Sequence, residues 1–219
     1  MIIAIDGPAG VGKSTVAKQL ATRLRCRYVD TGSLYRAVAW KVMRVGVDPS
    51  NRAAIAALLA STRLSLIPDP RSPRVRVDDQ DVTQEIRTAE VSQMASVVSA
   101  IPAVREWLLP VQRAFGADGH VVVEGRDIGT CVFPAASVKL FLDADSEVRA
   151  ARRQREFVTA GVSVPLDRTQ QDIDARDQRD RTRSLSPLRP AADAVVIDTS
   201  ALSLDQVLDT LMAVVASKQ

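Results

Sequence analysis

The spacing of hydrophobic and polar positions along the 219-residue chain changes several times, and each change marks an element. Short, mostly apolar runs bounded by polar turns occur at about residues 2–6, 26–30, 120–124, 138–142 and 194–198. Runs of this kind suit strands buried on both faces. Between them the period becomes helical: Val16, Leu20 and Leu24 recur within Lys13 to Arg25, and Leu34, Val38, Val42 and Val45 recur in the next helix, with Thr31 or Ser33 as its cap. Ile55, Leu58 and Leu59 share one side of a third helix. From Arg63 to Ile67 and from Arg74 to Val77 the pattern alternates, broken by Pro68, Pro70 and Pro73 and turned at Asp78-Asp79-Gln80-Asp81, which predicts a small antiparallel insert.

Helical spacing then returns. Thr88 caps a segment with Val91, Met94, Val97 and Val98 inward, and Pro102 suits the first turn of the next, containing Val104, Trp107, Leu108 and Val111. Pro110 should kink or end that helix. Ser146 caps a helix bearing Arg149, Arg152, Arg153 and Arg155 that ends near Gly161, and Asp167 opens a second polar helix running to Arg183. A hairpin this polar is expected to bury little and to move, either as a lid or as a solvated, salt-bridged pair. Ser203-Leu204-Asp205-Gln206 is a capping box for a closing helix with Val207, Leu208, Leu211, Val214 and Val215 inward. Strands alternating with helices predict an α/β fold, a doubly wound five-stranded parallel sheet carrying two insertions.

The chemistry enters between the first strand and the first helix. Gly7-Pro8-Ala9-Gly10-Val11-Gly12-Lys13-Ser14-Thr15 fits G-x-x-x-x-G-K-[ST], a P-loop. Its glycines let backbone N–H groups turn around an anionic tail, Lys13 supplies charge to the β and γ phosphates, and the Ser14 hydroxyl can ligate Mg²⁺. The helix that follows adds its N-terminal dipole. Asp30-Thr31 ends the second strand beside this loop and reads either as a helix cap or as a ligand contact. Glu124-Gly125-Arg126-Asp127-Ile128-Gly129-Thr130 is a charged, glycine-punctuated loop at the carboxyl end of a buried strand, where Arg126 and Asp127 either serve a ligand or pair with each other. His120, the only histidine, is expected at a strand edge.

Composition narrows the class. No apolar run approaches the roughly 18 residues that a membrane span requires. Met1 leads straight into the first strand without a basic, apolar leader, and Cys26 and Cys131 show no metal-ligand spacing, so buried thiols in a cytoplasmic protein are expected. Twenty-nine basic against 26 acidic residues leave a formal charge of only +3, and aromatic residues make up 4%, too few rings for a nucleic-acid stacking surface. The arginines concentrate between Arg149 and Arg189, where planar guanidinium groups suit phosphate recognition.

Four blocks in order, Gly7 to Thr15, Asp30-Thr31-Gly32-Ser33-Leu34-Tyr35-Arg36, Gly125-Arg126-Asp127-Ile128-Gly129-Thr130 and Arg176-Asp177-Gln178-Arg179-Asp180-Arg181, make the chain resemble the bacterial cytidylate kinases over nearly its whole length. The insert at about 63–82 fits the bacterial type, and Glu124 stands where that family often has Asp. The resemblance implies a P-loop core of about 1–30, 116–148 and 186–219, a nucleoside monophosphate-binding insert of about 31–115 and a lid of about 149–185. It implies transfer of the ATP γ-phosphoryl group to CMP or dCMP with Mg²⁺, by a monomeric cytoplasmic enzyme that binds neither nucleic acid nor membrane. ATP would be held by Gly7 to Thr15 and Arg153, with Mg²⁺ on Ser14. The same resemblance assigns Arg36, Arg126 and Arg183 to the CMP phosphate, Ser96, Arg105 and Asp127 to the cytosine, Arg176 and Asp180 to the ribose, and Thr31 to the nucleotide. Lys13, Arg126 and Arg183 would be catalytic. Three other readings stay open on the residues alone: a shikimate-kinase-like enzyme using Asp30 as base toward a hydroxyl, a non-catalytic nucleotide switch, and a nucleic-acid module built on the Arg149 to Arg189 segment.

Overall fold

The computed structural model describes residues 1–67, 73–159 and 161–218; the expected breaks at Pro68 and Pro70 lie outside the described residues. Five strands form one parallel sheet: β1 (Ile2–Asp6), β2 (Arg27–Asp30), β6 (Val121–Gly125), β7 (Val138–Asp143) and β8 (Val195–Asp198). They run in the order β2-β6-β1-β7-β8, with Asp6 level with Gly125 and Asp30 level with Glu124. The register brings the carboxyl ends of β1, β2 and β6 to one edge. Chain order reverses across β1 there, the position at which open α/β sheets bind ligands.

On one face α1 (Lys13–Leu24) and α8 (Leu204–Ala216) cover the sheet, packing Val16, Leu20, Leu208 and Leu211 on Ile3, Ile5, Leu140 and Leu142. Ser203 and Gln206 close the expected capping box on α8. Val29, Val121, Val123 and Ile128 build the core on the other face.

Residues between β2 and β6 form a second core of their own. It comprises α2 (Thr31–Val45), α3 (Arg52–Ala60), the antiparallel strands β3 (Leu64–Ile67), β4 (Arg74–Val77) and β5 (Gln80–Asp81), α4 (Ala89–Val98) and α5 (Pro102–Ala114). The turn from β4 to β5 has positive φ at both Asp78 and Asp79, as a tight hairpin of the observed hand requires, and Lys41 donates to Asp78 at 2.6 Å. Thr88 caps α4 through the Val91 N–H, as its position implied.

Three local expectations are corrected. The cap of α2 is Asp30, which accepts from the Ser33 N–H, so the capping reading of Asp30-Thr31 holds and Thr31 and Ser33 are not the cap. Of the two outcomes expected at Pro110, the ending does not occur: α5 continues to Ala114, and Pro110 and Glu106, whose carbonyl loses its partner, both lie on the exposed face where water serves the freed group. In α6 (Ser146–Thr159) Ser146 is already helical, and its hydroxyl donates to Asp174 of α7 (Leu166–Thr182) at 2.5 Å. The α6–α7 hairpin also buries more than its polarity suggests, with Arg149, Ala150, Thr169, Ile173, Asp177 and Asp180 inside. Cys26 and Cys131 are half-buried free thiols, and His120 is exposed at the entry to β6.

No single helix among the described residues is long and apolar enough to cross a membrane.

Candidate active site

Between β1 and α1 the chain turns through Gly7, whose φ is +153° and where an added Cβ would lie 2.3 Å from the Leu142 carbonyl oxygen. Only glycine fits there. Gly12 caps α1 at φ 95° with no side-chain hydrogen bond, so the first-turn N–H groups of α1 have no side-chain acceptor. Lys13 is buried, and its ammonium donates to the Pro8 carbonyl at 2.6 Å across the loop. Burial first, then the positive charge of Arg126, pull its pKa well below the usual lysine value. An anion arriving beside it would reverse that pressure.

Ala9, Gly10, Gly12, Lys13, Ser14 and Thr15 form one wall of a cleft, and Arg36, Arg126, Arg153 and Arg176 line the rest. The cleft thus gathers cations from α1, α2, the end of β6, α6 and α7. Arg36 donates to Asp30 at 2.6 Å, so Asp30 is both cap and counter-ion. Burial works to raise Asp30, but the Arg36 charge and hydrogen bond outweigh it and leave the carboxyl below its ordinary range. Arg153 pairs with Glu156 at 2.6 Å and lies over the Phe157 ring. Arg176 is pulled down to about 9 by burial and by neighbouring Arg126.

Behind Arg126 the remaining residues interlock. Asp180 accepts from Arg126 Nε at 3.2 Å and from the Ser96 hydroxyl at 3.3 Å. Arg105 donates to Asp127, and Arg183 Nη2 stands 3.7 Å from the same carboxylate. Ser96, Arg105, Asp127, Asp180 and Arg183 therefore form one polar network beside the cleft. Arg183 Nη2 in this network and Arg176 Nε, which stands 4.0 Å from Asp180, are buried with no hydrogen-bond partner. Thr31 differs from the others: it is buried, and its hydroxyl donates to the Glu124 carbonyl at 2.7 Å, fixing the end of β6 without lining the cleft.

Several participants carried no readable signal. Asp6 is buried at the end of β1 and accepts from the Ile128 and Gly129 N–H groups, both at 2.8 Å, tying the segment after Arg126-Asp127 to the strand that feeds the phosphate loop. Burial raises its pKa to about 6, against the lowering effect of those two bonds. Tyr28 donates its hydroxyl to the buried Glu124 carboxylate, with Ser14 beside both. Burial, then the Asp30 charge, raise Glu124 above its ordinary range. A second cleft opens on the far side of the loop between Val11, Thr15, Arg152, Thr199, Leu202 and Val207. Arg152 lines this cleft, and its guanidinium donates to the Thr199 carbonyl at 2.6 Å.

Comparison with known proteins agrees with the geometry. A family model described as cytidylate kinase matches residues 3–217. The cytidylate kinase of Nocardia farcinica is 46% identical over 219 residues, covering 100% of this chain and 94% of that protein. That of Corynebacterium glutamicum is 49% identical over 216 residues, covering 98% and 94%. Among solved structures, a gluconokinase from Sinorhizobium meliloti overlays with a TM-score of 0.50 at 16% identity, covering 98% of this chain and 91% of that one, a likeness of fold alone.

Proposed function

The chain belongs to the cytidylate kinase family, whose activity is ATP-dependent phosphorylation of CMP, and from that premise we propose how its residues carry out the transfer. The phosphate loop, Gly7 to Thr15, holds the ATP phosphates, and the arginines opposite hold the acceptor. Residues 31–115 are the acceptor-binding insert and 149–185 the lid. The observation that carries this reading is the buried Arg183 Nη2, which has no hydrogen-bond partner and stands 3.7 Å from the Asp127 carboxylate. Buried donors without acceptors are costly, and a phosphate with three oxygens supplies what they lack.

An oxygen of the CMP phosphate attacks the γ-phosphorus while the bond to the β–γ bridging oxygen breaks, and ADP leaves with the electron pair. The acceptor oxygen is already ionised near neutral pH, since a phosphate monoester has its second pKa near ~6. No side chain has to remove a proton. Lys13, Arg126 and Arg183 neutralise charge on the phosphoryl group in flight and on its acceptor, and Arg36 orients the acceptor phosphate. Asp127 accepts from the cytosine amino group, with Ser96 and Arg105 around the ring, and Asp180 with Arg176 serves the ribose. Thr31 supports these contacts by holding the end of β6. The apolar second cleft suits the adenine ring, and Arg153 reaches the ATP phosphates from the lid.

The donor set fits Mg²⁺: an exposed Ser14 hydroxyl beside the Glu124 carboxylate suits an ion that keeps several waters and takes its other ligands from phosphate. When bound it would neutralise the β and γ oxygens. We extend the proposal to dCMP, to a monomer and to the cytoplasm, as the family resemblance implies. A coupled ADP-release assay across CMP, dCMP, UMP, AMP and a hydroxyl acceptor tests it. CMP should dominate, and preferential turnover of the hydroxyl acceptor would overturn it.

A further inference from the structure

Both hydrogen-bonding groups of one phosphate-loop peptide are taken by side chains of the α6–α7 hairpin. The Ala9 N–H donates to Asp177 Oδ1 at 3.0 Å, and the Ala9 carbonyl accepts from Arg149 Nη1 at 2.9 Å. Arg149 closes the arrangement by donating to the other Asp177 oxygen, while its Nε donates to the Ala144 carbonyl at 2.9 Å. Arg149 is 6% exposed and Asp177 5%. Around this pair Ala9, Ala150 and Ile173 form a small apolar seat. Gly10 has φ +75°, and a Cβ there would lie 2.9 Å from the Arg149 carbonyl oxygen and 3.2 Å from Ile173 Cδ1, so the hairpin rests directly on the loop.

A buried ion pair alone is weak evidence of function, because many such pairs only set local geometry. This one grips a loop backbone at the donor site. Helix α7 also places consecutive residues on different faces: Arg176 lines the phosphate cleft, Asp177 holds the loop, and Asp180, one turn beyond Arg176, accepts from Arg126. One rigid helix thus ties the donor loop to the acceptor network.

We propose that Asp177 and Arg149 are positioning residues that clamp the Ala9 peptide and thereby couple donor binding to the setting of the lid. The inference rests on the kinase reading above. With the clamp intact, ordering of the loop by ATP orders α7, and water is kept from the γ-phosphorus until CMP is seated. With the clamp cut, the lid no longer follows the loop. Water then competes: its oxygen bonds to the γ-phosphorus, the bridging bond breaks, ADP leaves with the electron pair, and a water proton passes to solvent.

The test uses the full chain with Asp177→Asn and, as the second variant, Arg149→Lys, which keeps the charge but loses the planar group that holds Ala9 and Asp177 through Nη1 while Nε is anchored on the Ala144 carbonyl. ADP release is measured with and without CMP, alongside amide hydrogen exchange with and without a non-hydrolysable ATP analogue and Mg²⁺. In the native protein the analogue should protect residues 6–12 and 166–182 together. In a folded variant the loop should still gain protection while α7 does not. CMP-independent hydrolysis relative to transfer should rise about tenfold, a modest loss of alignment by the standards of active sites. A folded variant with the native hydrolysis ratio and joint protection overturns the proposal. Should both variants fail to fold, independent responses of loop and α7 in the native protein overturn it alone, and parallel responses support it. Failure of the kinase reading itself looks different, as native protein whose ADP release CMP does not stimulate.

Discussion

The Arg105 guanidinium donates to the Asp127 carboxylate where α5 meets the end of β6, and their side chains are only 9% and 5% exposed. Arg183 Nη2 stands 3.7 Å from the other oxygen of that carboxylate. One buried anion therefore balances two buried cations. Asp127 is at once the electrostatic keystone of the network and the carboxylate positioned to read an amino group on a base, and the two roles separate by mutation.

Asp127→Asn keeps the shape but removes the charge, while Asp127→Ala removes both. Loss of a carboxylate that accepts from a base amino group costs about 1–3 kcal/mol of discrimination, so kcat/KM for CMP over UMP should fall by roughly 5- to 150-fold in Asp127→Ala and by less in Asp127→Asn, whose amide oxygen still accepts. Both variants should also lower stability by about 3–5 kcal/mol, because Arg105 would keep a buried charge without its partner. Kinetics on both monophosphates and denaturant unfolding check the two parts. Unchanged base preference removes Asp127 from the pocket.

Lys13→Ala should cut turnover by about 10²–10³ while leaving CMP binding nearly intact. The ammonium sits within the phosphate loop, on the donor side of the cleft, and removing one preorganised charge at a transferring group costs about 10²–10³ in kcat. CMP affinity by calorimetry should stay within about threefold of native, since the acceptor contacts come from α2, α4, β6 and α7. Retained turnover would contradict the role given to Lys13.

Tyr28→Phe removes one of the two hydroxyls, with that of Ser14, that serve Glu124, a carboxyl only 3% exposed. A buried carboxyl that loses one of its donors costs about 1–3 kcal/mol, which for a chain of this size is several degrees of Tm. A loosely held Glu124 should also raise the half-saturating Mg²⁺ concentration several-fold without changing KM for CMP, and chelation with EDTA should stop transfer in both proteins. A Tm shift without a change in Mg²⁺ requirement would confine Tyr28 to a structural role.

Much of this architecture is legible in the chain because its signals are local. Five apolar runs mark the five parallel strands, the glycine spacing at Gly7 to Thr15 marks the phosphate loop, and Ser203 with Gln206 marks a cap. What escapes is set by distance in sequence. Asp6 reads as the last residue of an apolar strand, and its partners lie 122 and 123 residues away. Asp177 sits in a run of alternating charges, and nothing nearby distinguishes the residue that holds Ala9, 168 positions earlier, from its solvated neighbours. The reading of the hairpin as a segment that buries little failed for this reason: composition shows the exposed faces, while Arg149 and Asp177 are buried through contacts that only the fold creates. Pro110 misled in the opposite way, since the cost of a proline depends on whether the carbonyl it frees can reach water.

Asp6 gives a pH signature with a definite sign. Burial raises its pKa from 3.8 to about 6, so the folded protein holds this proton more tightly than the unfolded chain. The resulting stabilisation is complete below pH 3.8 and is lost as pH rises through about 6. Other carboxylates, such as Asp30 and Asp180 with lowered values, act in the opposite sense, so the native curve alone does not isolate Asp6. The comparison with Asp6→Asn does. The amide carries one acceptor oxygen for two N–H groups, which costs about 1–3 kcal/mol at every pH, but it never has to be buried as an anion. The destabilisation caused by Asp6→Asn should therefore be smaller at pH 7.5 than at pH 4.5 by about 2 kcal/mol, read from urea unfolding at the two values. A difference that is flat across this window would mean that the Ile128 and Gly129 bonds hold Asp6 ionised throughout. In either case the variant loosens the segment that follows Arg126 and Asp127, so KM for CMP should rise while KM for ATP changes little.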